Sequence, residues 1–152
     1  MRRQYVWRNN SQPRSKHTPM PRIPHWERHL ASALTTARAT PFAWGHHDCA
    51  TWVFDLRTSL TGGPDTAARW RGRYSTGYGA ALIMRRLGWS SLEDMGWDLL
   101  GEPLPTPQLA QRGDILLGGD PTAFGICAGR TGAFLTPEGL TEVPLSSCHL
   151  AW

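Results

Sequence analysis

An Asp-Cys pair placed directly behind a glycine-containing loop constrains this chain more than any other feature. In Trp44-Gly45-His46-His47-Asp48-Cys49 a short carboxylate precedes an apolar-periodic segment that runs to Gly62-Gly63-Pro64. Aspartate is a strong helix N-cap, and glycine followed by proline ends a helix, so the stretch between them reads as one helix with Cys49 in its first turn. There the unpaired backbone N–H groups and the helix dipole favour a thiolate. Cys49, Trp52, Val53, Leu56 and Leu60 share a face of that helix and make it part of the core. The fold must therefore be built around a helix that begins with a residue capable of nucleophilic chemistry.

The flanking patterns supply the rest of the layout. Trp26, Leu30, Ala33, Leu34 and Ala37 recur at offsets of three and four and predict a helix over Pro24 to Arg38, stopped by Pro41. After the Cys49 helix, residues 64–78 form a connector carrying Arg69, Arg71 and Arg73 with Tyr74 and Tyr78. A third helix spans Ala80 to Leu87, and a fourth opens at a Ser91 cap with Glu93 and Asp94 in its first turn. Beyond Pro103, Pro105 and Pro107 the helical period disappears. Short apolar runs separated by glycine replace it: Ile115 to Leu117, Ala123 to Cys127, Ala133 to Leu135, and Leu140 to Val143. Helices first and a small antiparallel sheet afterwards is an α+β class. Residues 1–23 read as a basic extended arm and residues 24–152 as the α+β domain.

Composition narrows the function. A chain of 152 residues is one domain, large enough to bury its own core. No apolar run approaches the ~18 residues a membrane span needs, and no apolar h-region follows the basic Met1 to Arg8 segment. The formal charge is +4, but residues 1–26 hold six of the bases and no acid, leaving ten bases against twelve acids in the remainder. A slightly acidic fold points away from nucleic acid, whose partners carry their basic patch on the fold itself. Six bases and four prolines with few aliphatic residues, over residues 1–24, suit a segment ordered by partner proteins. Cys49, Cys127 and Cys148 are odd in number and far apart, which fits a reducing place of synthesis rather than a disulfide framework. They and His149 lack the close spacing of a metal site, so no metal or cofactor is expected.

The order of the motifs resembles that of the NlpC-type cell-wall cysteine peptidases, a papain-like superfamily. An aromatic-Trp-Gly loop before Asp-Cys is matched by Phe42-Ala43-Trp44-Gly45 and Asp48-Cys49. A Pro-Gly-Asp-Leu-Val-type strand is matched by Arg112-Gly113-Asp114-Ile115-Leu116, and a His-Val-Gly-Ile-Tyr-type strand by Ala123-Phe124-Gly125-Ile126-Cys127. The resemblance extends over residues 42–147 and implies a papain-like fold with Cys49 as the nucleophile. It also exposes a departure: the position of the general base is Ala123, and Ala133-Phe134-Leu135 offers nothing to orient an imidazole. A thiolate without a base beside it also lacks the acid that must protonate a leaving amine.

His47 is the substitute base nearest in sequence, and it can face Cys49 only if the loop turns back; otherwise it shapes the loop locally. Cys49 is then either a reactive thiol or a small buried hydrophobe. Asp48 is the helix cap beside it. Gly113-Asp114 is read as a turn opening a strand, its carboxylate accepting backbone N–H bonds. His149 is expected beyond the sheet core, and Trp7, Trp70 and Trp152 at a surface covered by another protein. Within the superfamily, the stretches Gly72-Arg73-Tyr74-Ser75-Thr76, Gly101-Glu102-Pro103-Leu104 and Pro144-Leu145-Ser146 are similar to a divergent group found in tail modules of long-tailed bacteriophages and gene-transfer agents. That similarity implies a virion protein made in the host cytoplasm and placed at the tail tip among other tip and hub proteins. Its activity is implied in one of two forms: a structural component with a degenerate peptidase fold, or an active peptidase cutting peptidoglycan stem peptides during genome entry.

Overall fold

A computed structural model describes residues 20–152. Four helices precede a five-stranded antiparallel sheet: α1 (Trp26–Ala39), α2 (Cys49–Thr61), α3 (Gly77–Arg86), α4 (Leu92–Leu100), then β1 (Ile115–Gly118), β2 (Ala123–Cys127), β3 (Thr131–Thr136), β4 (Gly139–Pro144) and β5 (Cys148–Ala151). The α+β layout is thus present, with helices and sheet in the expected order. Strands β1 to β4 form a meander, and the chain then returns to add β5 on the far side of β1, giving the order β4-β3-β2-β1-β5. Residues 20–23, read from sequence as the end of the arm, are tied to the domain: the Ile23 N–H donates to the Leu60 carbonyl and Arg22 pairs with Asp114 at 2.8 Å.

The helix that opens with Cys49 is the centre of the molecule. α2 lies between α1 and the sheet, against β2 and β3. Its buried residues, Ala50 to Phe54, Leu56 and Leu60, surround it rather than forming a single stripe. A helix covered on most sides is apolar on most sides. Asp48 caps its start and Gly62, at φ +68°, ends it in the left-handed conformation.

Alternation along the strands divides the sheet into two faces. Ile115, Leu117, Phe124, Ile126, Ala133 and Leu135 point toward the helices and join the main core with Phe54, Trp70 and Trp152. Leu116, Cys127, Phe134 and Cys148 make a second cluster on the other face, covered by Leu104, Ala110, Val143 and Leu145. That division separates Cys127 and Cys148 from Cys49, which packs on the main core. Among the described residues no cluster of His, Cys, Asp or Glu could hold a metal ion, and no helix is long and apolar enough to cross a membrane.

Two expectations require correction. Trp70 and Trp152 are core residues, not surface ones: they are 2% and 4% exposed. Each indole N–H is satisfied internally, Trp70 by Thr51 Oγ1 at 3.2 Å and Trp152 by the Gly101 carbonyl at 2.9 Å, so neither ring needs a partner protein. Trp7 lies outside the described residues. His149, expected beyond the sheet, belongs to β5, with its side chain exposed.

Candidate functional site

The site is set by how the loop before α2 is folded. Residues 43–47 make a tight turn, with the Ala43 and His47 backbones bonded in both directions at 3.0 and 2.7 Å. Gly45 sits at its apex at φ +82°, and a Cβ there would lie 2.2 Å from the Tyr74 carbonyl oxygen. Only glycine allows both that conformation and that approach. The Gly45 carbonyl accepts from the Gly72 N–H at 2.9 Å, so the connector is laced directly onto the loop.

The connector is fastened at its other end to α2. Arg71 bridges Asp55 on α2 and Asp65 through ion pairs to both. Trp70 inserts beside Phe54 and Trp89, edge to face with both. This clamp brings the Tyr74 hydroxyl to Asp48 Oδ2 at 2.6 Å, where the Gly45 N–H also donates at 2.8 Å; the second oxygen takes the Thr51 N–H at 2.9 Å. Asp48 is 2% exposed, with both oxygens occupied. Burial, and then the Asp48 carboxylate it donates to, push the Tyr74 hydroxyl pKa up, so the phenol stays a donor.

Cys49 follows this anchored cap at the first position of α2 and lines a cavity of about 640 Å³. Phe42 and Trp44, in edge-to-face contact at 4.8 Å, stand on one side of it. Ala123, Phe134, Thr141 and Val143 supply the sheet side, and the hairpin tips carrying Asp120 and Glu138 close its end. Phe134 is laid across β2 because Gly125 has no side chain; a Cβ there would come within 2.7 Å of its ring. The groove is chiefly apolar, and among the described residues no histidine, asparagine or glutamine lines it.

Burial drives the Cys49 thiol pKa up to about 11, with the Asp48 carboxylate adding to the rise. The N–H groups of Phe124, Ala50 and Cys49 itself pull it part of the way back. Desolvation therefore outweighs the helix start. His47 does not face this groove: its Nδ1 lies 3.2 Å from the Pro41 carbonyl, and the residue lines a separate depression between α1 and α2 with His29, Trp52 and Asp55. His46 packs by Gly72, on the outside of the loop. The structure thus brings Asp48 and Cys49 together and turns His47 away. Asp114 accepts the Gln111 N–H at 2.8 Å and holds Arg22, a turn rather than part of the groove.

Sequence reasoning overlooked Tyr74 as the residue that locks Asp48 and overlooked Phe134 as a groove wall. Tyr74 is 26 positions from Asp48, and only the intervening Arg71 and Trp70 anchors could have hinted at the contact.

The fold and groove define an α+β domain with a capped cysteine at the edge of an apolar cavity. The chain belongs to the DUF6950 family, a domain of unknown function, whose family model matches residues 21–152. No curated protein and no solved structure matches the chain.

Proposed function

We propose that the protein is a structural component of a bacteriophage tail tip or hub region, built on a papain-like, NlpC-type fold that has lost its peptidase chemistry. One observation carries the loss of chemistry: the cavity that Cys49 lines has Ala123 where the resemblance puts the general base, and among the described residues no imidazole borders it. A thiol with a pKa raised to about 11 is almost wholly protonated at neutral pH and is a poor nucleophile. The groove that remains suits binding rather than turnover. Its place in a phage tail is supported by the order of the Asp48-Cys49, Gly113-Asp114 and Ala123-to-Cys127 motifs and by the Gly72-to-Thr76 stretch.

The competing reading is an active peptidoglycan peptidase with Cys49 as nucleophile. What favours it is the sulfur's position at the start of α2, with three backbone N–H groups against it. Incubating the full-length protein with purified peptidoglycan and analysing soluble fragments by mass spectrometry separates the two. The structural reading expects no new fragments. Cleavage that disappears in Cys49→Ala would establish the peptidase.

A further inference from the structure

At the other end of α2 lies a smaller cavity, about 200 Å³, between the helix, residues 20–22 and the start of β1. Arg57 lies eight residues after Cys49, roughly 12 Å along the helix axis, so this cavity is separate from the Cys49 groove. Two guanidinium groups border it, Arg22 and Arg57. Arg22 is answered: its Nη2 donates to Asp114 Oδ1 at 2.8 Å, and its guanidinium stacks 5.4 Å from the centre of the Trp26 ring. Arg57 is not. Among the described residues no carboxylate lies within 4.0 Å of it, and its one side-chain partner is the thioether sulfur of Met20 at 2.8 Å.

A thioether is a weak acceptor for a group that carries five N–H donors in a planar fork. Arg57 is half-buried, and both its desolvation and the Arg22 charge press its pKa downward. The Asp114 carboxylate is taken up by Arg22 and the Gln111 N–H, and the Arg57 fork in this partly dehydrated depression is left without an oxygen acceptor among the described side chains. Such an arrangement is costly unless something negative completes it. The Gln111 carboxamide borders the same cavity and makes no side-chain hydrogen bond in the described structure, so it supplies a further free donor.

We propose that this cavity is a binding site for a small oxyanion, a carboxylate or phosphate group, held by the fork of Arg57 with Arg22 and Gln111 beside it. The anion replaces the Met20 sulfur on Arg57. The Met20 side chain is therefore a competitor that occupies the site when the anion is absent. The inference is independent of what the Cys49 groove does.

The test uses the full chain at pH 7 and constant ionic strength, with inorganic phosphate and acetate titrated separately and arginine Nε–Hε resonances followed by NMR. A saturable shift with either anion is expected, and which of the two saturates assigns the group as phosphate or carboxylate. Arg57→Lys keeps the charge and loses the fork, and should weaken binding by about tenfold. Met20→Ala, at the edge of the fold, should tighten it. Shifts that stay linear with both anions would overturn the site, as would saturable binding that neither substitution changes.

Discussion

Cys49 and Asp48 show how one residue's surroundings decide between chemistry and architecture. A cysteine at a helix start is usually cited as activated, yet the dipole contributes about 1 kcal/mol, less than one pKa unit. Burial and the adjacent Asp48 carboxylate move the pKa the other way, to about 11. With that pKa roughly one thiol in ten thousand is ionised at pH 7, so native Cys49 should react with iodoacetamide far more slowly than a free thiol and accelerate only in strongly alkaline solution. Rapid labelling near neutrality would show that a base stands beside Cys49 and would overturn the structural reading. The same shift has a stability consequence. The unfolded thiol ionises near 9.0 while the native one holds its proton to about 11, so this contribution is complete below 9 and is lost as pH rises through that interval. The loss is up to about 1.4 kcal/mol per pH unit. Cys127, Cys148 and Tyr74 are raised too, so the wild-type curve carries several such contributions. Comparing urea unfolding of wild type and Cys49→Ala at pH 8 and 10 isolates the Cys49 part: the difference between the two proteins should shift in favour of the variant as pH rises. Asp48 is the architectural half. Its oxygens accept from Thr51, Gly45 and Tyr74, so Asp48→Asn turns one acceptor into a donor facing donors. A loss of about 3 kcal/mol in urea unfolding is expected, the cost of a buried donor left unmatched together with weakened bonds to a charged group.

At the scale of elements, the loop before α2 and the connector after it stabilise each other through one contact that needs glycine. Gly45→Ala adds the cost of a left-handed alanine, about 1–2 kcal/mol, to an overlap with the Tyr74 carbonyl. The variant should lose more than about 2 kcal/mol, and the chemical shift of the Tyr74 ring should move as the connector withdraws from Asp48. A shift confined to the loop itself would mean that the connector is positioned by Arg71 and Trp70 alone. Local signals made most of these elements legible in the sequence. The Asp48 cap, the Gly62 stop and the α1 stripe through Leu30 and Ala37 lie within a few residues of the structure they determine. Helix α3 begins at Gly77, three residues before the expected Ala80, because Thr76 caps it through the Gly79 N–H, and glycines in a first turn give no periodic signal. Strand β5 escaped because it has four residues, is preceded by a short 3-10 turn at Leu145–Ser147, and carries the exposed His149. The burial of Trp70 and Trp152 escaped for a different reason: it depends on hydrogen-bond partners 19 and 51 positions away. Asp48-Cys49 could be read as a pair from sequence alone, whereas the side of the loop on which His47 emerges is set by the Ala43–His47 bridge.

For the whole molecule, charge is distributed unevenly between the N-terminal segment and the remainder. The basic excess is concentrated before residue 27, while the remainder carries ten bases and twelve acids. Several of the later arginines are committed inside the fold: Arg71 to Asp55 and Asp65, Arg38 to Glu142, and Arg69 over the Trp89 ring at 4.8 Å. The core described for residues 20–152 is assembled from α2, the inner face of the sheet and the Trp70, Trp89 and Trp152 rings. Residues 1–19 hold five bases, no acid and two prolines, a composition expected to order by binding other surfaces rather than by burying its own. Deleting residues 1–19 should therefore leave the thermal transition of the isolated domain nearly unchanged, since neither Met20 nor the Arg22–Asp114 pair is removed. In a phage carrying the same deletion, the proposed tail role predicts particles that fail to assemble a complete tip, scored by electron microscopy and infectivity. A large drop in thermal stability would instead place the segment in the domain's own packing. Normal assembly accompanied by the loss of salt-sensitive DNA retention would assign this five-base segment to nucleic acid, because counterion release makes such binding fall steeply with salt where protein docking through apolar contacts does not.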